Sequence, residues 1–109
     1  MNKLEIYCVT NKKLLFLENT SLKLVAVGTD KFSEKYLRCD YGNNIYAKEK
    51  YYSELTFHYW YWKNALSNTK QDWIGFCQKR RFWINSNMDK NKVNINNLNN
   101  YLLQKLDFK

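Results

Sequence analysis

Residues Leu4–Thr10 read LEIYCVT. The run is short, apolar on both of its alternating faces, and rich in residues that suit a pleated sheet. Two more runs share that character: Leu22–Gly28 (LKLVAVG) and Asp72–Cys77 (DWIGFC). Strands apolar on both faces are covered on both faces, which is the situation of a parallel sheet. Between the second and third runs lies Lys50–Leu66, KYYSELTFHYWYWKNAL. At about 100° per residue, Tyr51, Leu55, Tyr59, Trp62 and Leu66 form one apolar stripe, with Ser53, Thr56, Lys63 and Asn64 opposite. Phe57, Trp60 and Tyr61 fall outside it, so the helix is apolar over most of its circumference and is expected to be largely buried. The order strand, strand, helix, strand, helix predicts an α/β fold, a mostly parallel three-stranded sheet flanked by helices.

After the third run the composition changes. Eight of the sixteen residues in Asn85–Asn100 are Asn, a residue that favours turns and caps over helix interiors. An exposed loop is expected over residues 85–94. Ile95, Leu98, Leu102 and Leu106 then recur at helical spacing, which predicts a terminal amphipathic helix over residues 95–107. Proline is absent and glycine occurs three times, so no flexible linker divides the chain. One domain, residues 1–109, is expected, with its core in residues 1–84.

Lys and Arg outnumber Asp and Glu by 18 to 10, a net charge of +8 that favours anionic partners such as nucleotide diphosphates, nucleic acid or anionic lipid. A solvated, lysine-rich surface accounts for the same excess. Cys8, Cys39 and Cys77 are odd in number and far apart, which argues against a disulfide framework or a zinc ribbon and for reduced thiols in a cytoplasmic protein. No signal peptide and no run long enough to span a membrane is present. No P-loop, G-x-G-x-x-G or nucleophile motif occurs, and no D-x-D carboxylate pair that would hold a divalent ion. No residue is therefore assigned to a metal.

In open parallel sheets ligands bind beyond the carboxyl ends of the strands. Here those ends run into Thr10, Asn11, Lys12 and Lys13; into Gly28, Thr29 and Asp30; and into Gln78, Lys79, Arg80 and Arg81. Parallel strands would gather them on one basic rim suited to phosphate oxygens. For Arg80 and Arg81 the competing assignment is a solvated strand end, or ion pairs with Asp72 or Glu54. Glu54 and His58 stand one helical turn apart, a spacing open to acid–base work or to a satisfied, half-buried histidine. Asp40–Asn44 (DYGNN) reads as a turn, or as a loop whose Asp40 and Asn44 meet a hydroxylated ligand.

Four segments together resemble a glycosyltransferase-like family of uncharacterised domains from bacterial capsular polysaccharide synthesis proteins. IYCVTNKK is similar to its I-Y-x-V-T-H-K opening, with Asn11 in place of the usual His. YLRCDYGNNI (Tyr36–Ile45) is similar to its L-x-D-x-x-G-D-N-I element, with Asp40, Gly42, Asn44 and Ile45 matching. Within Tyr51–Asn64, Tyr52, Glu54, Leu55, Thr56, Tyr59, Trp60, Trp62, Lys63 and Asn64 fit its Y-Y-x-E-L-T-x-x-Y-W-x-W-K-N helix. DWIGFCQKRRFW resembles D-Y-I-G-L-C-H-Y-R-R-Y-F, with Gln78 in place of His. The resemblance implies a partial nucleotide-diphospho-sugar-transferase-like (GT-A-like) fold that binds a sugar nucleotide and serves a glycan acceptor. It implies donor-binding roles for Thr10, Asn11, Asp40, Asn44, Glu54, Arg80 and Arg81. The resemblance leaves any Mg²⁺ or Mn²⁺ to a full-length enzyme and adds no cofactor to this chain. Members are generally longer, so a truncated or split copy is expected, with a second chain supplying the remainder. The alternative is a non-catalytic basic module for a partner protein or nucleic acid, the latter disfavoured because the aromatic residues concentrate on one helix that reads as buried.

Overall fold

β1 (Leu4–Thr10) is flanked on both sides by parallel neighbours in a computed structural model that describes residues 3–104. On one side it pairs with β2 (Lys23–Ala26), Tyr7 opposite Lys23 through Thr10 opposite Ala26. On the other it pairs with β4 (Trp73–Gln78), Leu4 opposite Trp73 through Val9 opposite Gln78. β2 pairs in turn with β3 (Tyr36–Arg38), also parallel. The order is β3-β2-β1-β4, a four-stranded sheet rather than the expected three. The strand missed by pattern is three residues long, follows Lys35 and ends in Arg38, too short to show a period. It holds its place through the β2 ladder and by burying Tyr36, whose hydroxyl donates to Glu18 Oε2 at 3.1 Å.

β1 and β2 are covered on both faces, as a parallel sheet requires, whereas β4, at the edge of the sheet, is only partly covered and carries no fully buried residue. One face, with Val9 and Val25, packs against Phe57, Trp60 and Tyr61 of α3 (Leu55–Asn64). The other, with Cys8, Leu24 and Ala26, packs against Leu17 of the short helix α1 (Leu15–Glu18).

The helix expected over Lys50–Leu66 is broken. α2 (Glu49–Tyr52) ends at Ser53, whose φ of 51° and ψ of −124° turn the chain before α3 begins. α3 also presents the opposite face to the one that periodicity selects. Of the expected stripe, Leu55 is 52% exposed, Trp62 58% and Leu66 44%. The buried residues are Thr56, Phe57, Trp60 and Tyr61. The physical reason is ring packing. Phe57 lies 5.1 Å from Tyr7 and 5.9 Å from Trp60, Tyr61 and Phe76 between ring centroids, so this face meets the rings that the sheet presents. Trp60 also finds an acceptor for its indole N–H, the Tyr41 carbonyl at 3.0 Å.

The expected terminal helix over residues 95–107 is a single turn, α4 (Leu98–Tyr101). Asparagine side chains compete for the backbone here. Asn94 Oδ1 accepts from the backbone N–H of Asn96 and of Asn97, and Asn97 Oδ1 accepts from that of Asn94. Leu102 then turns extended and bridges Ile84. Leu98 and Leu102 are buried while Ile95 is exposed; Leu106 lies outside the described residues. The Asn85–Asn94 segment is mainly exposed and carries one 3₁₀ turn, Lys90–Lys92, capped by Asp89.

Candidate functional site

The strand order puts a reversal of winding at β1: β2 and β3 extend to one side and β4 returns to the other. Crossovers then leave the sheet in opposite directions, and a crevice opens at the carboxyl ends of the two strands that straddle the reversal. A polar cleft of about 110 Å³ lies there. Thr10 and Asn11 come from the end of β1, and Gln78, Lys79 and Arg80 from the end of β4. Val9 and Val27 line it, and Ser53 and Glu54 from the α2–α3 break close it.

Each of these side chains is placed by local chemistry. Thr10 is buried, and its hydroxyl donates to Lys12 O at 2.7 Å and accepts from Lys12 N–H at 3.0 Å. It ends β1 and shapes the turn that presents Asn11. Asn11 Oδ1 accepts from Lys79 Nζ at 2.7 Å, a contact that spans the crevice. Asp30 accepts from the backbone N–H of Lys13 at 2.8 Å, which ties the loops after β1 and β2 together and lowers its carboxyl titration. Thr10, Asp30 and Arg80 thus follow strands that end on one edge.

Glu54 opens α3. Its carboxylate is held below the usual range by its own backbone N–H, by the Ser53 hydroxyl and by the nearby His58. It is therefore an anion and an acceptor at neutral pH. His58 lies against the Phe76 ring, 4.3 Å between centroids, and burial lowers its titration more than Glu54 raises it. It is a half-buried packing histidine.

The structure separates Arg80 from Arg81. Gln78 and Arg81 exchange backbone hydrogen bonds at 3.2 and 3.0 Å, closing a tight turn with Lys79 and Arg80 at its tip. Arg80 is exposed at the cleft, whereas Arg81 lines a second cavity with Phe76, Cys77 and Trp83. Asp40 and Asn44 do not line the cleft either. Asp40 pairs with Arg38 at 2.9 Å on the surface. Asn44 donates to Gly42 O and accepts from Tyr46 N–H, both at 3.0 Å. Both shape the loop after β3. Of the seven residues assigned by resemblance, Thr10, Asn11, Glu54 and Arg80 are brought together, while Asp40, Asn44 and Arg81 are not.

Two contributors lie outside the residues assigned by resemblance. Lys79 falls on the basic rim by its position after β4, but its contact with Asn11 is legible only once the turn aims it there. Glu49 has no motif, yet a Cβ placed on Gly28 would stand 3.4 Å from its carboxylate and 3.5 Å from Asn11 Cβ. Gly28 has a φ of 82°, and its carbonyl accepts from Tyr46 Oη at 2.6 Å. The glycine therefore lets the β3–α2 loop close onto the rim, bringing Glu49 with it. No group of three or more His, Cys, Asp or Glu among the described residues stands close enough to hold a metal ion, so this part of the chain does not by itself fit one.

No helix among the described residues is long and apolar enough to cross a membrane. No curated protein and no solved structure matches the chain. Residues 5–108 match a family model described as a domain of unknown function, DUF4422. With nearly its whole length matched, the chain belongs to the DUF4422 family.

Proposed function

We propose that the cleft binds the diphosphate of a sugar nucleotide, and that the chain is the donor-binding part of a GT-A-like glycosyltransferase acting in capsular or surface polysaccharide synthesis. The observation that carries this reading is the meeting of Asn11, Lys79 and Arg80 across the β1–β4 crevice, at the carboxyl ends of parallel strands. A diphosphate there would gain a point charge from Lys79 and a forked donor from Arg80. Asn11 holds Lys79 in place without neutralising it. Glu54, ionised and facing the same cleft, accepts from sugar hydroxyls and repels a misplaced phosphate. In the transfer, a bond forms between the anomeric carbon and an acceptor hydroxyl as the bond to the diphosphate oxygen breaks. Charge builds on the leaving diphosphate, and fixed cations stabilise it most at that moment. The glycan acceptor and a completing second chain belong to the same proposal.

Calorimetric titration with a panel of sugar nucleotides tests it. Binding is expected, and Arg80→Ala should weaken it about tenfold or more, since a hydrogen bond to a charged group contributes roughly 1.5–3 kcal/mol. Absence of binding by every nucleotide, or affinity indifferent to both Arg80→Ala and Lys79→Ala, overturns the reading.

One observation favours a second reading, a basic binding module. The rings of Tyr51 and Trp62 stand exposed, with Lys50 Nζ 5.0 Å from the first and Lys63 Nζ 3.7 Å from the second. Exposed aromatics beside cations are what single-strand binders present. Oligonucleotide binding that collapses with added salt and ignores Arg80→Ala would select this reading.

A further inference from the structure

Cys8 and Cys77 are register partners on the neighbouring parallel strands β1 and β4. Both point to the sheet face that carries Leu24 and Tyr36 and is covered by Leu17, where Cys77 packs against the cluster that contains Cys8. Both are free thiols. Neighbouring strands lie about 4.8 Å apart, and disulfides span Cα separations of roughly 4.4–6.8 Å, so the backbone already meets the first requirement of a bond. The neighbouring Cys77 thiol, with burial, pushes the Cys8 titration strongly upward. Cys8 is fully buried, whereas Cys77 is part-exposed and lines a cavity of about 300 Å³ together with Arg81.

We propose that Cys8 and Cys77 are a dithiol modification site that closes reversibly to a cross-strand disulfide by exchange with a small disulfide of the oxidised-glutathione class. Cys77 is the attacking thiol, because the reagent reaches it through the cavity, where Arg81 attracts the carboxylates of glutathione. Its thiolate bonds to one sulfur of the reagent, the reagent's S–S bond breaks, and one glutathione thiolate leaves. Cys8 then attacks the Cys77 sulfur as its proton passes to the departing sulfur, expelling the second glutathione as a thiol. The protein loses two electrons and two protons; the oxidised glutathione gains both and becomes two thiols. Cys8, holding its proton tightly, is the resolving thiol and not the initiator. Cys39 cannot substitute. It lies in the cluster on the opposite sheet face, its thiol pushed up to about 12 by burial and donating to Ala26 O at 3.6 Å. Because residues directly opposite on adjacent strands hold a disulfide with little freedom to relax, the link should be easily reduced.

The experiment exposes the native chain to excess oxidised glutathione, blocks remaining thiols and maps the peptides by mass spectrometry without reduction. One cross-link joining Cys8 to Cys77, reversed by dithiothreitol, is expected in the native chain and unchanged in Cys39→Ser. In Cys8→Ser the reaction should stop at a glutathione adduct on Cys77. Phenylarsine oxide, which bridges paired thiols without oxidation, should bind one per native chain and none in Cys77→Ser, so the geometry is tested even if a Cys8 variant fails to fold. A lasting glutathione adduct on Cys77 of the unsubstituted chain, cross-links that recruit Cys39, or an unreactive Cys77 would each overturn the proposal.

Discussion

Truncating Phe57 and truncating Trp62 should have very unequal consequences, although the two residues lie five apart on one helix. Phe57 is fully buried and packs against Tyr7, Trp60, Tyr61 and Phe76. Its removal leaves a ring-sized void between α3 and the sheet, and Phe→Ala changes at such sites cost about 3–5 kcal/mol. Trp62 is 58% exposed and meets Lys63 Nζ and, edge to face, the ring of Tyr59. An exposed cation–π contact is worth about 0.5–1 kcal/mol, so Trp62→Ala should cost no more than roughly that. Urea unfolding followed by circular dichroism separates the cases. With a slope of about 1–3 kcal/mol per molar, the Phe57→Ala midpoint should fall by at least about 1 M, and at the same slope the fall for Trp62→Ala should be at least about threefold smaller. Equal losses, or the larger loss at Trp62, would refute the assignment of the buried face and with it the packing of α3 on the sheet.

Other positions give further checks. Gly42 has a φ of 65°, and a Cβ there would stand 2.5 Å from Asn64 Oδ1, so Gly42→Ala should cost about 1–2 kcal/mol in backbone strain and more as Asn64 is displaced from the Asn43 and Trp60 carbonyls. The thermal midpoint is the measure, and Asn64→Ala should remove part of the Gly42→Ala penalty. Ser53 is the one non-glycine residue with positive φ among those described, so Ser53→Gly should be neutral or stabilising by up to about 1 kcal/mol, while loosening the cleft enough to weaken nucleotide binding. Thr56 Oγ1 is buried without a hydrogen-bond partner, and Thr56→Val should raise stability by up to about 1 kcal/mol in the same urea assay. Acidification should destabilise the fold in two steps. Burial lowers the His58 titration, so below the free-imidazole value of about 6.5 the unfolded chain binds the proton first and stability falls with pH. Glu54 is held low, so its contribution is present above the free-carboxyl value of about 4.3 and is lost as pH drops through its folded value. Thermal melts from pH 7.5 to 4 should show the first step removed by His58→Gln and the second reduced by Glu54→Gln.

The α/β class and the parallel direction of β1, β2 and β4 were legible because short runs apolar on both faces favour a parallel sheet, although β4, at its edge, is only partly covered. The glycine and polar residues that trail those runs also marked the right edge of the sheet. Legibility ended where one local pattern admits two tertiary outcomes. The aromatic helix carries two apolar stripes, and rings distant in sequence, Tyr7 and Phe76 against Phe57 and Tyr61 and Tyr41 against Trp60, help select the buried one. β3 exists because β2 offers it a ladder, a non-local condition that three residues cannot announce. Arg80 and Arg81 are neighbours in the chain, and a turn closed by Gln78 sends one to the cleft and the other behind it. Local hydrophobicity and strand propensity travel with the sequence itself. Which face is covered, which strand is neighbour to which, and whether Cys8 ever meets Cys77 depend on contacts between residues far apart in the chain, and those exist only once it has folded.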